Sequence, residues 1–347
     1  MRRHKTIRST LKTGLLAVVS IVVAYVIITA IATVIYWHRH GSEPYKPGVS
    51  FSIKYAKELG VDWQQNYLAL LNDMHVKRFR LMSYWDEGEP QPGVYKFDDL
   101  DWQIREAEKS GAKVSLAIGL RQPRYPECHE PDWATKLSAD EQKEALKSYI
   151  AVTVDRYKSS PAIVSWQLEN EALNTAFGLC HDFSRQRLIE EYNLVKQHDR
   201  SHPTIVSVSN EFGLPLIGPI PDIVGFSIYH RVYQSWGKFY FDYPLPPIWH
   251  GTRAALIELF EHKPVMIHEL QTEPWGPAST AQLTIEEQNK SMDAKRLIDH
   301  VRYAQQTSIR EYYLWGGEWW YWRKVKFNDD SLWNAASQVF ADDRRSF

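Results

Sequence analysis

From Val49 onward, short β-rich apolar runs alternate with helical patterns, and this alternation constrains the fold more than any other feature. The runs predict strands over residues 49–53, 76–81, 113–118, 163–168, 204–208, 223–228, 265–267 and 311–314. Helices are predicted over 63–72, 100–109, 139–158, 184–198, 252–262 and 285–306. Ser138 with Glu141, and Thr284 with Glu287, are spaced as capping boxes at two of the helix starts. The stripe Leu146, Tyr149, Ile150, Thr153, Val154, Tyr157 follows helical spacing and reads as a core face. Strands alternating with helices imply a parallel sheet, and eight of them suit a closed (β/α)₈ TIM barrel. A doubly wound open sheet is the alternative, but no G-x-G-x-x-G or G-x-x-x-x-G-K phosphate loop is present.

A second feature precedes the alternation. Residues 1–14 carry Arg2, Arg3, Lys5, Arg8 and Lys12 and no acid. Residues 15–37 hold no charge and are long enough to span a bilayer, with Tyr36 and Trp37 closing the stretch as interfacial aromatics. The basic flank predicts a single-pass signal-anchor with a cytoplasmic N-terminus and an extracytoplasmic domain. A cleaved signal peptide competes, since Ala30-Ile31-Ala32 is a passable cleavage site, but apolar residues continue past it. The expected organisation is a basic tail (1–14), a transmembrane segment (15–37), a polar linker (38–48) and a barrel domain (49–347).

Net charge is −1, so bulk electrostatics point to no nucleic-acid partner. Two cysteines, Cys128 and Cys180, exclude a disulfide scaffold and a thiolate zinc site. They fall in loops after the third and fourth strands, where a disulfide is open to them if the domain lies outside the cytoplasm. No H-e-x-x-H spacing and no serine elbow occurs, so no metal or cofactor is expected. The chain has 14 Trp and 19 Tyr, which fill a core and also suit a groove that stacks on sugar rings.

Active residues of a barrel sit where strands end. Those ends supply Arg80 to Trp85, Gly119 to Arg121, Asn170 with Glu171, Asn210 with Glu211, Tyr229 with His230, Glu269 and Trp315. Carboxylates at two strand ends, Glu171 and Glu269, are the minimum equipment for hydrolysing a glycosidic bond. Glu273 competes with Glu269, but the apolar run stops before Glu269.

These residues resemble the clan of retaining glycoside hydrolases on (β/α)₈ barrels. Trp166-Gln167-Leu168-Glu169-Asn170-Glu171 and the run from Trp85 to Phe97 resemble the β-galactosidase-like families 35 and 42; the layout also resembles family 5 cellulases and mannanases. The resemblance implies Glu171 as acid/base and Glu269 as nucleophile. It implies Arg80 and Tyr229 as donors to that nucleophile, Asn170 on the sugar 2-hydroxyl, and Trp315 as the floor of the sugar site. A strained peptide at Trp315–Gly316 is expected with it. Trp85, His230, Trp275 and Glu318 complete the expected substrate-binding set, and Trp319, Trp320 and Trp322 read as either sugar platforms or core. The expected partner is an oligo- or polysaccharide. A non-catalytic glycan-binding or envelope scaffold and a transglycosidase are the alternatives.

Overall fold

The computed structural model describes residues 2–208 and 220–343. Asn210 and Glu211 lie outside the described residues. The strands are β1 Lys46–Ser50, β2 Arg78–Met82, β3 Lys113–Ile118, β4 Ile163–Leu168, β5 Thr204–Val208, β6 Ile223–Ile228, β7 Arg231–Gln234, β8 Phe239–Asp242, β9 Val265–Gln271 and β10 Glu311–Trp315. The helices are α1 Arg2–His40, α2 Ile53–Glu58, α3 Trp63–Asn72, α4 Trp85–Gly88, α5 Asp98–Ser110, α6 Ala139–Tyr157, α7 Arg185–His198, α8 Pro247–Glu261, α9 Ile285–Ser291, α10 Ala294–Gln306, α11 Gly317–Phe327 and α12 Ser331–Asp343.

Eight strands close a parallel barrel in the order β1-β10-β9-β6-β5-β4-β3-β2. Buried on both faces, they need no polar alternation, which is why β5 and β6 read as nearly continuous apolar runs, although β1 and β2 carry Lys46, Arg78 and Arg80. Registers such as Ser50↔Arg80, Ser50↔Trp315 and Ile118↔Leu168 bring the strand ends to one level. That level is the C-terminal face, where the side chains expected to do chemistry collect.

Helices α2, α4, α11 and α12 have no counterpart in the sequence reading, and four other differences bear on the layout of the domain. First, β1 starts at Lys46 and ends at Ser50, because Ser52 turns out of the strand to cap α2 by accepting the Tyr55 N–H. Second, β9 continues past Glu269 to Gln271. Ile267 pairs with Phe226 and Glu269 with Ser227, so His268 is the extra residue of a β-bulge. Third, residues 285–306 form two helices. The chain kinks at buried Met292, and Asp293 opens α10 by accepting the Arg296 N–H. Fourth, β7 and β8 form an antiparallel hairpin between β6 and α8 that was not among the expected elements.

Helix α1 is also more than a tether. The stretch Leu15–His40 is long and apolar enough to cross a membrane. Its last turns nevertheless dock on the barrel. Ala32, Thr33 and Tyr36 form a buried stripe at helical spacing. Thr33 Oγ1 lies 3.0 Å from Thr252 Oγ1 of α8, and His40 Nε2 lies 2.8 Å from Glu258 Oε2. Arg310, at the foot of β10, donates to the His40 carbonyl at 2.6 Å. Tyr36 therefore packs against the domain and does not stand free at a membrane interface. A Cβ on Gly251 would fall 2.9 Å from Trp37 Nε1, so Trp37 too lies on α8. The expected linker shrinks to the few residues between His40 and Lys46.

Candidate active site

Glu269 sits on the bulged segment of β9, and two donors grip its carboxylate. Arg80, fully buried in the middle of β2 and not at its end as expected, donates from Nη1 to Glu269 Oε2 at 2.7 Å. Tyr229, directly after β6, donates its hydroxyl to Glu269 Oε1. Two further guanidinium hydrogens are used. Nε reaches Gln167 Oε1 at 2.7 Å and Nη2 reaches Asn170 Oδ1 at 2.8 Å. One planar fork thus fixes side chains from β4 and β9 in a common frame. Burial and the neighbouring Glu269 charge drive the Tyr229 hydroxyl well above its ordinary range, so it remains a donor.

The three polar residues that end β4 have separate fates. Glu169 turns away from the cleft. Its oxygens accept the Leu120 N–H at 2.7 Å and the Arg121 N–H at 2.8 Å, and Oε1 also accepts from Arg187 at 2.9 Å. Gly119 is required beside it: its φ is +107°, and a Cβ there would meet Glu169 Oε1 at 2.4 Å. Asn170 accepts from Arg80 and directs its amide Nδ2 to Glu127 Oε2 at 2.9 Å. Glu171 has φ +47°, a costly conformation for a non-glycine residue that points to a constrained position. Its N–H donates to Ser207 Oγ at 3.0 Å, and Asn174 Nδ2 donates to its Oε2 at 3.3 Å.

Glu171 and Glu269 line the same cleft, about 1220 Å³ in volume, together with Asn170, Tyr229, Trp275 and Trp315. This volume exceeds that of an ordinary small-molecule site and suits an extended ligand. Trp315 lies under the Arg124 guanidinium, 3.9 Å from its ring centroid. Arg124 is in turn clamped by both oxygens of Glu273. The pairing gives Glu273 a structural partner that Glu269 does not share, although Glu273 also reaches the cleft wall. Burial raises the Glu273 carboxyl, and Arg124 opposes the rise. The expected strain beyond Trp315 takes another form. Among the described residues the cis bonds are Tyr125–Pro126 and Ile220–Pro221, and it is Gly316, at φ +138°, that makes the turn. A Cβ on Gly316 would press on the Thr272 carbonyl at 2.9 Å.

Three expected binding residues do not face the cleft. Trp85 is wholly buried, edge-on to Trp133, with its indole N–H on Glu89 Oε2 at 2.8 Å. It holds the loop after β2 to the barrel wall. His230 packs tilted against His300 at 4.1 Å and edge-on to Tyr303 at 4.2 Å. Burial pulls its imidazole down to about 2, so it stays neutral packing. Glu318 is buried at the start of α11, accepting from the Ser52 N–H and facing Arg124 at 3.4 Å. Burial pushes its carboxyl up to about 7. It braces Arg124 from behind. Trp319 and Trp320 are core, bonded to Gln288 Oε1 and the Thr272 carbonyl. Cys128 and Cys180 form a disulfide, joining the loops after β3 and β4 at the rim.

The sequence reading passed over Glu127. It lies in the loop after β3, a segment without periodicity, one residue before the bridged Cys128. It lines the cleft and accepts from Asn170. Burial pushes its carboxyl up to about 8, and the charges of Glu171 and Glu269 add to the rise. From about pH 4.5 to about 8 the unfolded chain therefore releases a proton that the folded one keeps, and stability falls as pH rises through that window. The cost is at most about 1.4 kcal/mol per pH unit. Glu127→Gln should raise the Tm by several degrees at pH 8.5 and leave it unchanged at pH 4.5. Thermal scans at both values check this, and an equal shift at both would remove the electrostatic explanation.

Comparison with known proteins adds to this geometry. No family model matches the sequence. The chain is 30% identical over 128 residues to mannan endo-1,4-beta-mannosidase A of Podospora anserina, covering 33% of this chain and 32% of that protein. It is 28% identical over 164 residues to a probable mannan endo-1,4-beta-mannosidase A-1 of Aspergillus terreus, covering 44% and 39%. The chain is a relative of the (β/α)₈-barrel glycoside hydrolases. The match spans only about a third to two fifths of the length of these curated relatives. Among solved structures, a xylanase of Cellvibrio japonicus in complex with xylopentaose superposes with a TM-score of 0.57 at 18% identity, covering 86% of this chain and 67% of that one. That likeness establishes the shared barrel.

Proposed function

We propose that this protein is a membrane-anchored, retaining β-glycoside hydrolase whose barrel works outside the cytoplasm. One observation carries the reading: Glu269, gripped by Arg80 and Tyr229, shares a single cleft with Glu171. Glu269 attacks the anomeric carbon while Glu171 gives its proton to the departing glycosidic oxygen. A covalent glycosyl-enzyme results. Water, activated by the now ionised Glu171, then releases the sugar with its β-configuration retained. Arg80 and Tyr229 hold the nucleophile aimed, and Asn170, which lines the cleft, would meet the sugar 2-hydroxyl. Trp275, on the cleft wall, offers a ring for sugar stacking, whereas one face of Trp315 is already covered by Arg124.

The sequence relatives support a β-linked, equatorial polysaccharide bond as the first target. The anchored reading is supported by α1, by its five basic residues on the N-terminal side, and by the Cys128–Cys180 bridge, which suits an oxidising compartment. The test is a panel of β-mannan, β-xylan and aryl β-glycosides followed by a 2-fluoro-glycoside trap. Turnover with a mass adduct on the peptide holding Glu269 is expected. No turnover and no adduct on any configuration would favour a glycan-binding scaffold instead.

A further inference from the structure

Helix α1 fixes which end of the barrel meets the bilayer. Its contacts with α8 run in step: Thr33 meets Thr252, and Arg39 and His40 meet Glu258. The two helices are therefore parallel over this stretch. In a parallel barrel α8 descends from the C-terminal face to the foot of β9, so α1 descends as well and delivers the chain to the foot of β1. Read backwards, α1 climbs past the C-terminal face, where the cleft opens. From Thr33 to Leu15 the helix continues for roughly 27 Å at 1.5 Å per residue, close to one hydrocarbon thickness. Nearly every side chain of that stretch is exposed. The outer leaflet then lies near the level of Thr252, in the second turn of α8, beside the mouth of the cleft.

A second observation falls on the same side. The β7–β8 hairpin leaves the barrel directly after Tyr229, and its residues Val232 to Ser235 form one wall of the cleft. Its far end exposes Trp236 (82% accessible), Phe239 and Phe241, with Lys238 in the turn. Trp236 and Phe239 pack on each other at 5.2 Å, and neither lines the cleft. Four residues after β8 the chain enters α8 and exposes Ile248. A Trp/Phe tip with a lysine, beside a membrane-spanning helix, is the composition of an interfacial anchor. The opposite end of α8 exposes Leu259 and Phe260. There, however, α1 arrives as Arg39 and His40 in ion pairs with Glu258, not as membrane-crossing helix.

We propose that the cleft mouth faces the bilayer, that the β7–β8 tip seats in its headgroup region, and that the substrate is a β-glycan carried on a membrane lipid. This rests on the hydrolase reading and deepens it. A polymer free in solution would have to enter between barrel and membrane, whereas a headgroup glycan is presented in that gap. The bond broken is the β-glycosidic bond. Water supplies the hydroxyl to the anomeric carbon and a proton to the oxygen that departs.

The test uses the full chain in phosphatidylcholine vesicles. A fluorophore on Ser235→Cys should be quenched strongly by a headgroup-nitroxide lipid, and one on Ser159→Cys, at the foot of β4, should not. Equal or reversed quenching, or a protein that does not stay with the vesicles, overturns the seating. For the sugar identified by the panel, kcat/KM on its diacylglycerol glycoside in the vesicle should exceed that on the soluble methyl glycoside by at least about 10-fold. Trp236→Ser/Phe239→Ser should erase that preference and leave the soluble rate unchanged. Equal rates in the wild type overturn the lipid-carried substrate. If neither glycoside is cleaved while the quenching pattern holds, it is the hydrolase reading that fails.

Discussion

Glu269→Gln should lower kcat/KM on any glycoside the protein cleaves by on the order of 10⁴-fold or more, with little change in Tm. The amide keeps the volume and one acceptor for Arg80 or Tyr229, so the loss reports missing nucleophilicity and not a collapsed site. Glu171→Ala should behave differently. Proton donation contributes about 10²–10⁴-fold, and only where the leaving group needs it. A sugar or alkyl leaving group should therefore suffer the full loss, while a dinitrophenolate should depart nearly unaided. Azide separates the two roles further. It should rescue Glu171→Ala by attacking the glycosyl-enzyme to give a β-glycosyl azide, and rescue Glu269→Ala by direct attack to give the α-anomer. Product stereochemistry read by NMR is the check. If both variants lose activity equally on every leaving group, or azide gives one anomer from both, the roles are misassigned.

The barrel was legible because parallel strands buried on both faces leave an unmistakable apolar trace. Function-bearing detail was legible only where it coincided with a strand end. Asn170, Glu171 and Tyr229 directly follow strands and Arg80 lies in the middle of β2, yet the four converge. Glu269 was expected at the end of its strand, but β9 does not stop there: it bulges at His268 and runs on to Gln271. A bulge leaves no signature in composition. Trp85 and Glu318 also follow strands, yet both are buried behind the cleft wall. Sequence position says that a residue is near the mouth and not which way it points. Glu127 shows the converse. Its loop has no period, and only the pairing of Cys128 with Cys180 hints that the segment is held at the rim. The hairpin carried a signal that was read too lightly. Val232 and Tyr233, then Tyr240 and Phe241, flank a turn containing Gly237, as hairpin strands do. Helix α1 was read from its apolarity alone, while its docking depended on a stripe of only a few residues, Ala32, Thr33 and Tyr36.

Arg80→Met should be the most damaging substitution for stability and should expose how the site is held. Arg80 is fully buried with three hydrogen-bond acceptors: Glu269, Gln167 and Asn170. Methionine fills much of the same volume, so packing loss is small. What remains is a buried Glu269 carboxylate without its cation and the Gln167 Oε1 without its donor, while Asn170 Oδ1 keeps Gln167 Nε2 and Ser207 Oγ, each at 3.2 Å. Removing one partner of a buried pair costs about 3–5 kcal/mol. Arg80→Lys restores the charge but not the planar fork, so it should recover most of the stability and little of the turnover, since a single ammonium cannot order β4 and β9 together. The decisive variant is the double one. If the damage comes from the stranded carboxylate, adding Glu269→Gln to Arg80→Met should return about 1.5–3 kcal/mol, a coupling well beyond additivity. Urea unfolding of the four-member cycle measures it. Additive losses would mean that the damage does not come from the Arg80–Glu269 pair.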